Sequence, residues 1–476
     1  MLTEASRRAV WRAIGNAIAA HVVMLRDTAV FDDPVAAAVL TALDGVRCAD
    51  PPEGDVSDLV AVFDARLEAL TAPAAAGASG VGRQRAEIAA TAVRLTLRDE
   101  LLALQAALDE MRLALLDFAG QHVFTLMPAY AEGRPAQPTT LAHYLGGAIG
   151  PLSRATDRLR LGYAEVNRSP MGAGALASTG VRIDREATAR ALGFDGPIAS
   201  TFDAVAATDH LAAALDPATT AADTLARFLE ALRGWLRHDP DSLRLAEAWQ
   251  GDFDAALPQF RPAVGLNQLA AEAAAIVADA AVAKRLAAAI PYGPAGAALD
   301  VPFARTMQAL GATRALAERA ARLVAGGIEV NRAYFANRAG RDHTTASDLA
   351  DMLMVEEGLD PASARAIAGM VVRQSLEAGI EASGITPQAI DAAALLIVGR
   401  ELGMEIERFG SYLAPRKFLE RRVASGGPAP GAVRETLEME RARVLADERW
   451  REEAAGRIRS ALAGMERETA EILAVE

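Results

Sequence analysis

The sequence is poor in the residues that build several common kinds of site. Its 476 residues include one cysteine and six histidines. The single cysteine, Cys48, excludes a disulfide framework and a thiolate metal site, and it fits a reducing compartment. No histidine falls in HExxH or another metal-ligand spacing, so the sequence predicts no metal site. We expect a cytoplasmic protein.

Lysine is also scarce, and the overall charge is negative. Only Lys284 and Lys417 occur, and the formal net charge is -13. Nucleic-acid binding needs a dense basic face, so DNA and RNA are not expected partners. No uncharged apolar stretch reaches about 18 residues, and the N-terminal run RRAVWRAIGNAIAAHVVML is interrupted by Arg12, Asn16 and His21. We therefore expect an amphipathic helix there and no membrane partner.

Aromatic residues make up only 5% of the chain, whereas 51% of it is hydrophobic. Alanine and leucine dominate, and glycine and proline cluster between periodic runs, which favours helix nearly everywhere. Neither a GxSxG elbow nor a phosphate-binding GK[ST] loop occurs, which removes the commoner hydrolase and nucleotide-hydrolysing classes. The sequence predicts an all-α fold.

Apolar residues recur at helical spacing over several long stretches. The longest runs from Glu87 to about Val123, and others span roughly 139–165, 202–237, 266–290 and 301–336. Very long helices of this kind form bundles that bury their remaining apolar faces against other subunits. We predict an N-terminal helical domain, a central long-helix bundle, a small C-terminal helical domain and a charged terminal helix, with bounds 1–82, 83–342, 343–430 and 431–476.

Four segments carry a resemblance to a known family. They read TLMPAYAEGRPAQPTTLAHYL, EVNRSPMGAGALASTGVRIDREATARALGFDGPIASTFDAV, TTASDLADML and LAPRKFLERRVASGGPAP. In this order and spacing they resemble argininosuccinate lyase, a family of the fumarase/aspartase superfamily. The resemblance covers nearly the whole chain.

This resemblance implies a fold, an assembly and a chemistry. The fold is an all-α, three-domain one with a central bundle of very long helices. The assembly is a homotetramer in which three loop regions from three subunits meet at each active site. The reaction is a cofactor-free elimination that releases fumarate from a small N-substituted aspartate, so no cofactor is expected. A serine in a GSSxMPxKxN loop removes the proton, while lysine, asparagine and backbone N–H groups hold the dianion.

The first two regions depart from the family pattern at its functional positions. Where the family has GRSRND, residues 82–87 read GRQRAE, so Arg83 and Arg85 remain while the serine, asparagine and aspartate are replaced. Where it has DIHxxIE, residues 58–64 read DLVAVFD, without the histidine. In the second region GYTHLQRAQP becomes AYAEGRPAQP, which places Ala131 at the substrate-binding threonine and Glu132 at the catalytic histidine.

The third region departs furthest. Residues 255–270 read AALPQFRPAVGLNQLA, and no serine lies between Ser242 and Ser347. Only Asn267 matches the loop asparagine. Further on, YNRDLQEDKEP becomes YGPAGAALDVP over Tyr292–Pro302, so the tyrosine remains and Asp300 replaces a lysine.

Two hypotheses follow. In the first, the protein is a divergent lyase-superfamily enzyme acting on a substrate other than argininosuccinate, with Glu132 and Glu87 as candidate catalytic carboxylates. The second is a catalytically inactive homologue that keeps the fold for binding or as a scaffold, as the alanines at family positions suggest. The candidate substrate-binding residues are Arg83, Gln84, Arg85, Tyr130, Arg134, Gln137, Asn267, Tyr292 and Asp300.

Overall fold

A computed structural model describes residues 1–474, so the last two residues of the predicted 431–476 segment lie outside it. The described residues form 17 α-helices, and the prediction of an all-α fold is confirmed. Three helices come first, and they pack on one another: α1 Glu4–Asp27, α2 Asp33–Arg47 and α3 Val56–Leu70.

Five long helices form the central bundle. They are α4 Arg85–Gln121, α5 Leu141–Val166, α8 Asp209–His238, α9 Val264–Ala288 and α10 Asp300–Gly326. The 37 residues of α4 span about 55 Å at 1.5 Å per residue. Two short helices, α6 Arg185–Ala191 and α7 Thr201–Ala206, lie in the connection between α5 and α8. The long apolar patterns in the sequence therefore correspond to the bundle.

The predicted helix over 301–336 was too long. Helix α10 ends at Gly326, and the next residues form strand β4 Ile328–Val330, which pairs with β3 Leu243–Leu245. A Cβ on Gly327 would lie 2.5 Å from the indole nitrogen of Trp249 and 2.7 Å from the Leu323 carbonyl oxygen. The helix therefore ends where the Trp249 ring packs against its backbone.

The stretch from 125 to 140 is a β-hairpin. Strands β1 Leu126–Ala131 and β2 Arg134–Thr140 pair antiparallel around the two-residue turn Glu132–Gly133. Both turn residues have positive φ, 51° and 77°, as a type I′ turn requires. The hairpin projects between the end of α4 and the start of α5.

A second hydrophobic cluster, separate from the main core, forms between residues 349 and 412. The helices of this part of the chain are α11 Arg332–Ala339, α12 Ala346–Val355, α13 Pro361–Glu377, α14 Pro387–Val398, α15 Ile406–Leu413 and α16 Pro415–Arg421. The last helix, α17 Pro430–Leu473, returns to pack along α4 and α5.

One helix within residues 1–474 is long and apolar enough to cross a membrane, judged by length and composition only. It is α9, Val264–Ala288. In this structure α9 packs against α8 and α10 as a member of the bundle. Its exposed side still carries apolar side chains, among them Val282 and Leu286.

Candidate functional site

The first group of predicted site residues lies where α4 begins, which we call the Arg83 end of the bundle. The Arg83 guanidinium is buried and pairs with Asp64 of α3 at 2.9 Å. Arg85 reaches the other carboxylate oxygen of Asp64, also at 2.9 Å, but its own side chain is 63% exposed. Gln84 is the exposed N-cap residue of α4. Of the two arginines, Arg85 is the one that solvent or a ligand can reach.

Glu87 has a different environment from that of an open catalytic base. Its side chain is fully buried in the first turn of α4. The carboxylate accepts hydrogen bonds from the backbone N–H groups of Gln84, at 2.8 Å, and Gly174, at 3.0 Å. Burial raises the pKa of Glu87, while these N–H groups and Arg83 act in the opposite direction. Its contacts are those of a helix cap that also fixes the loop before α6.

Asp300 and Tyr292 lie near the same end. Asp300 opens α10, is 7% exposed, and accepts hydrogen bonds from the Ser57 backbone N–H, at 3.1 Å, and from the Ser57 hydroxyl. Burial raises the pKa of Asp300, and the Ser57 hydrogen bonds oppose that shift. Tyr292 is 90% exposed in the loop before α10. Asp300 thus caps α3, whereas the Tyr292 ring is accessible.

Glu132 and Arg134 lie on the hairpin, at the opposite end of the bundle, which we call the hairpin end. Both side chains are exposed. Glu132 occupies the left-handed region with φ 51°, where a residue other than glycine, asparagine or aspartate is uncommon. Within residues 1–474 its carboxylate accepts no hydrogen bond and forms no ion pair. Unlike Glu87 and Asp300, it is available for contact with a ligand or another chain.

Tyr130 anchors the hairpin. Its hydroxyl donates to Asp239 at 2.5 Å, and Tyr334 donates to the other oxygen of the same carboxylate at 2.9 Å. Asp239 is 5% exposed, at the C-terminal end of α8, and Arg338 lies 3.5 Å from it. Burial and the Asp239 hydrogen bond raise the pKa of the Tyr130 phenol. The tyrosine therefore stays protonated and ties β1 to α8 and α11.

A cleft of 540 Å³ flanks the hairpin. It lies between β2, the first turns of α5, helix α16 and the start of α17, and the Gln137 side chain lines it. The Gln137 amide also donates to the Ser347 hydroxyl at 3.0 Å. Other lining residues are Ala129, Pro138, His143, Tyr144, Arg422 and Pro428.

Asn267 is exposed at the start of α9, where its amide oxygen accepts from Arg233 at 2.9 Å.

The predicted residues thus form two separate groups on one chain. Arg83, Gln84, Arg85 and Glu87 are at the start of α4, and the Ser57 contact brings Asp300 to the same end. Glu132 and its hairpin neighbours follow the other end of α4, about 55 Å away along the helix. Within residues 1–474, one chain therefore does not bring the two groups together.

Three residues with a clear role at these positions were missed from the sequence. They are Ser57, which binds Asp300, Asp64, which holds both arginines, and Asp239, which holds Tyr130. Asp64 lies in the stretch that replaces the family's DIHxxIE, and that was the one available signal. Asp239 follows the last residue of α8, and no sequence pattern around it predicts a contact with the hairpin.

Comparison with known proteins identifies the family. The argininosuccinate lyase of Methanoculleus marisnigri is 32% identical over 463 residues, which cover 94% of this chain and 89% of that protein. The chain belongs to the argininosuccinate lyase family. A profile of the family described as Lyase matches residues 55–245, which include α3, α4, the hairpin, α5 and α8.

Solved structures place this argininosuccinate lyase family member in the fumarase/aspartase superfamily. A variant of EDDS lyase with bound fumarate superposes with a TM-score of 0.86 at 26% identity, covering 98% of this chain and 92% of that one. A class II fumarase from Schistosoma mansoni gives a TM-score of 0.67 at 15% identity, with 87% and 90% covered. The second likeness is one of fold alone.

Proposed function

We propose that this protein is a lyase that catalyses elimination, or the reverse addition, on a substrate other than argininosuccinate. One observation carries the proposal: Glu132 stands exposed at a strained hairpin turn, at the position where the resemblance places the family's catalytic histidine. Backbone strain at a residue without a structural contact is a common mark of a functional position. The carboxylate at this turn can act as a base toward a C–H group next to a carboxylate.

The changed residues support a changed substrate. The family's serine base has no counterpart between Ser242 and Ser347, and Ala131 replaces its substrate-binding threonine. Loss of one preorganised donor typically costs about 100- to 1000-fold in rate. Several positions differ together, so ordinary argininosuccinate cleavage is not expected. The fumarate bound to an EDDS lyase variant of similar fold supports fumarate as the released product.

We also propose a homotetramer in which the site is shared between subunits. On one chain, Arg85 and Tyr292 belong to the Arg83 end, and Glu132 lies about 55 Å away at the hairpin end. Antiparallel packing of two bundles brings the hairpin end of one subunit to the Arg83 end of another. The exposed apolar side chains of α9 suit burial in such an interface. Arg85 then holds a substrate carboxylate opposite Glu132.

The alternative is a catalytically inactive homologue with a binding or scaffold role. Glu87 and Asp300 favour it, because both carboxylates are committed to hydrogen bonds from the chain's own residues. Under this alternative Glu132 is only a surface residue of the hairpin. The protein then forms the same assembly without turnover.

A screen for fumarate release separates the two functions. Argininosuccinate and a panel of N-substituted aspartates are incubated with the wild-type protein, Glu132→Gln and the matched control Glu438→Gln, which changes an exposed glutamate of α17. The proposal predicts release from at least one conjugate by the wild type and the control, and none by Glu132→Gln. If folded, oligomeric wild-type protein releases no fumarate from any conjugate, the inactive alternative is preferred.

A further inference from the structure

A second pocket, lined by none of the candidate site residues, lies in the N-terminal helices. It has a volume of 310 Å³ and is formed by the first half of α1 and the segment that follows α2. Its lining includes three arginines, Arg8, Arg12 and Arg47, together with Trp11 and the carboxylate of Asp50. The formal net charge of the chain is -13, so a pocket lined by three arginines differs in charge from the protein as a whole.

The pocket is built by specific packing. The Arg47 side chain crosses α1 at Gly15, where a Cβ would lie 2.8 Å from its Cγ atom. Its guanidinium then donates to the Asn16 amide oxygen at 2.8 Å. Trp11 is 3% exposed, and its indole N–H donates to the Val46 carbonyl at 3.2 Å. Both the wall and the floor of the pocket are therefore held in place.

The positive charge of the pocket is only partly compensated. Asp50 pairs with Arg8 at 3.0 Å, and Glu4 also pairs with Arg8 at 3.1 Å. Within residues 1–474, neither Arg12 nor Arg47 forms an ion pair. The Arg47 guanidinium donates instead to the neutral amide of Asn16. Two of the three arginines that line the pocket thus have no carboxylate within ion-pairing distance.

We propose that this pocket binds a small oxyanion, the phosphate or carboxylate group of a metabolite-sized ligand, through Arg12 and Arg47. A guanidinium presents a planar fork of donors that matches both kinds of oxyanion. The 310 Å³ volume suits a small molecule. This site is separate from the proposed lyase chemistry and does not depend on it.

The protein contains its own reporter for this site. Cys48 is the only cysteine of the chain, is exposed, and lines the pocket. Its alkylation by iodoacetamide, a neutral reagent, is followed by mass spectrometry on the full-length protein while inorganic phosphate or succinate is titrated. Sodium chloride at matched ionic strength controls for screening. We expect saturable protection by phosphate, succinate or both, and the comparison shows which oxyanion is preferred.

Variants test the two arginines. Because a hydrogen bond to a charged group contributes more than a factor of ten in binding, Arg12→Gln and Arg47→Gln are each expected to raise the half-protecting concentration at least about tenfold. Arg400→Gln, which changes an exposed arginine after α14, serves as the matched control. Arg12 is exposed, so its variant keeps the fold even if the Arg47 variant does not. Protection that chloride reproduces, that all variants retain, or that never occurs overturns the proposal.

Discussion

Replacing Glu132 with glycine is expected to stabilise the hairpin and to abolish turnover. Glu132 has φ 51° and Gly133 has φ 77° in the two-residue turn. The left-handed conformation costs a residue with a Cβ about 1–2 kcal/mol, and glycine lacks this cost. Glycine also has more conformational freedom in the unfolded chain, which lowers the free energy of unfolding by about 0.5–1 kcal/mol and offsets part of this gain. The difference between the midpoints of these two ranges gives a net stabilisation of the turn of about 0.75 kcal/mol.

Hydrogen exchange of the hairpin amides measures this local change. A gain of that size slows exchange of Leu126–Thr140 by about two- to fivefold. Glu132→Gln keeps the strained turn and removes only the charge, so it should lose turnover without slowing exchange. Faster exchange in the glycine variant would show that Glu132 makes a stabilising contact. Undiminished turnover in either variant would remove Glu132 from the proposed chemistry.

Three further changes test the structural roles of buried polar groups. Glu87→Ala should lower the free energy of unfolding, measured with guanidinium chloride, by about 2–4 kcal/mol, because it leaves the N–H groups of Gln84 and Gly174 without their acceptor. Glu87→Gln should lose less, and equal stability of all three proteins would refute the capping role. Tyr130→Phe should accelerate hairpin exchange about five- to thirtyfold, and unchanged exchange would mean that the Asp239 hydrogen bond does not anchor the hairpin. Asp109 is buried in α4, where Gln105 donates to it at 2.7 Å and Arg112 lies 3.4 Å from it. Burial outweighs these two contacts and raises the pKa of Asp109 from 3.8 to about 7, so the stability of the folded state falls as pH rises through that range. Between pH 5 and 8 the wild type should therefore lose roughly 2–4 kcal/mol more stability than Asp109→Asn, and parallel pH profiles would contradict the shift.

The bundle could be predicted from the sequence because helical periodicity is a local signal. The predicted stretches 139–165 and 266–290 match α5 and α9 to within about three residues, the usual uncertainty of such bounds. The end of α10 could not be predicted, since Trp249, distant in sequence, packs against Gly327. The hairpin was also hard to foresee, because its turn is Glu-Gly rather than the stronger Asn-Gly signal.

The candidate site was predictable only as a set of positions. The resemblance placed Glu87, Glu132 and Asp300 at family positions, but it gave no information about what each carboxylate contacts. Glu87 meets N–H groups that include one from Gly174, 87 residues away, and Asp300 meets Ser57, 243 residues away. Tertiary packing alone creates such contacts. The structure thereby separates one exposed carboxylate from two that cap helices.

Mixing two inactive variants tests the proposed shared site most directly. Glu132→Gln carries its defect at the hairpin end, and Arg85→Gln carries its defect at the Arg83 end. The two proteins are unfolded and refolded together, and fumarate release is measured with the conjugate that the wild type cleaves. We predict that mixed tetramers recover activity, because some of their sites combine an intact Glu132 from one subunit with an intact Arg85 from another. Mixed tetramers that form and remain inactive would contradict the shared site.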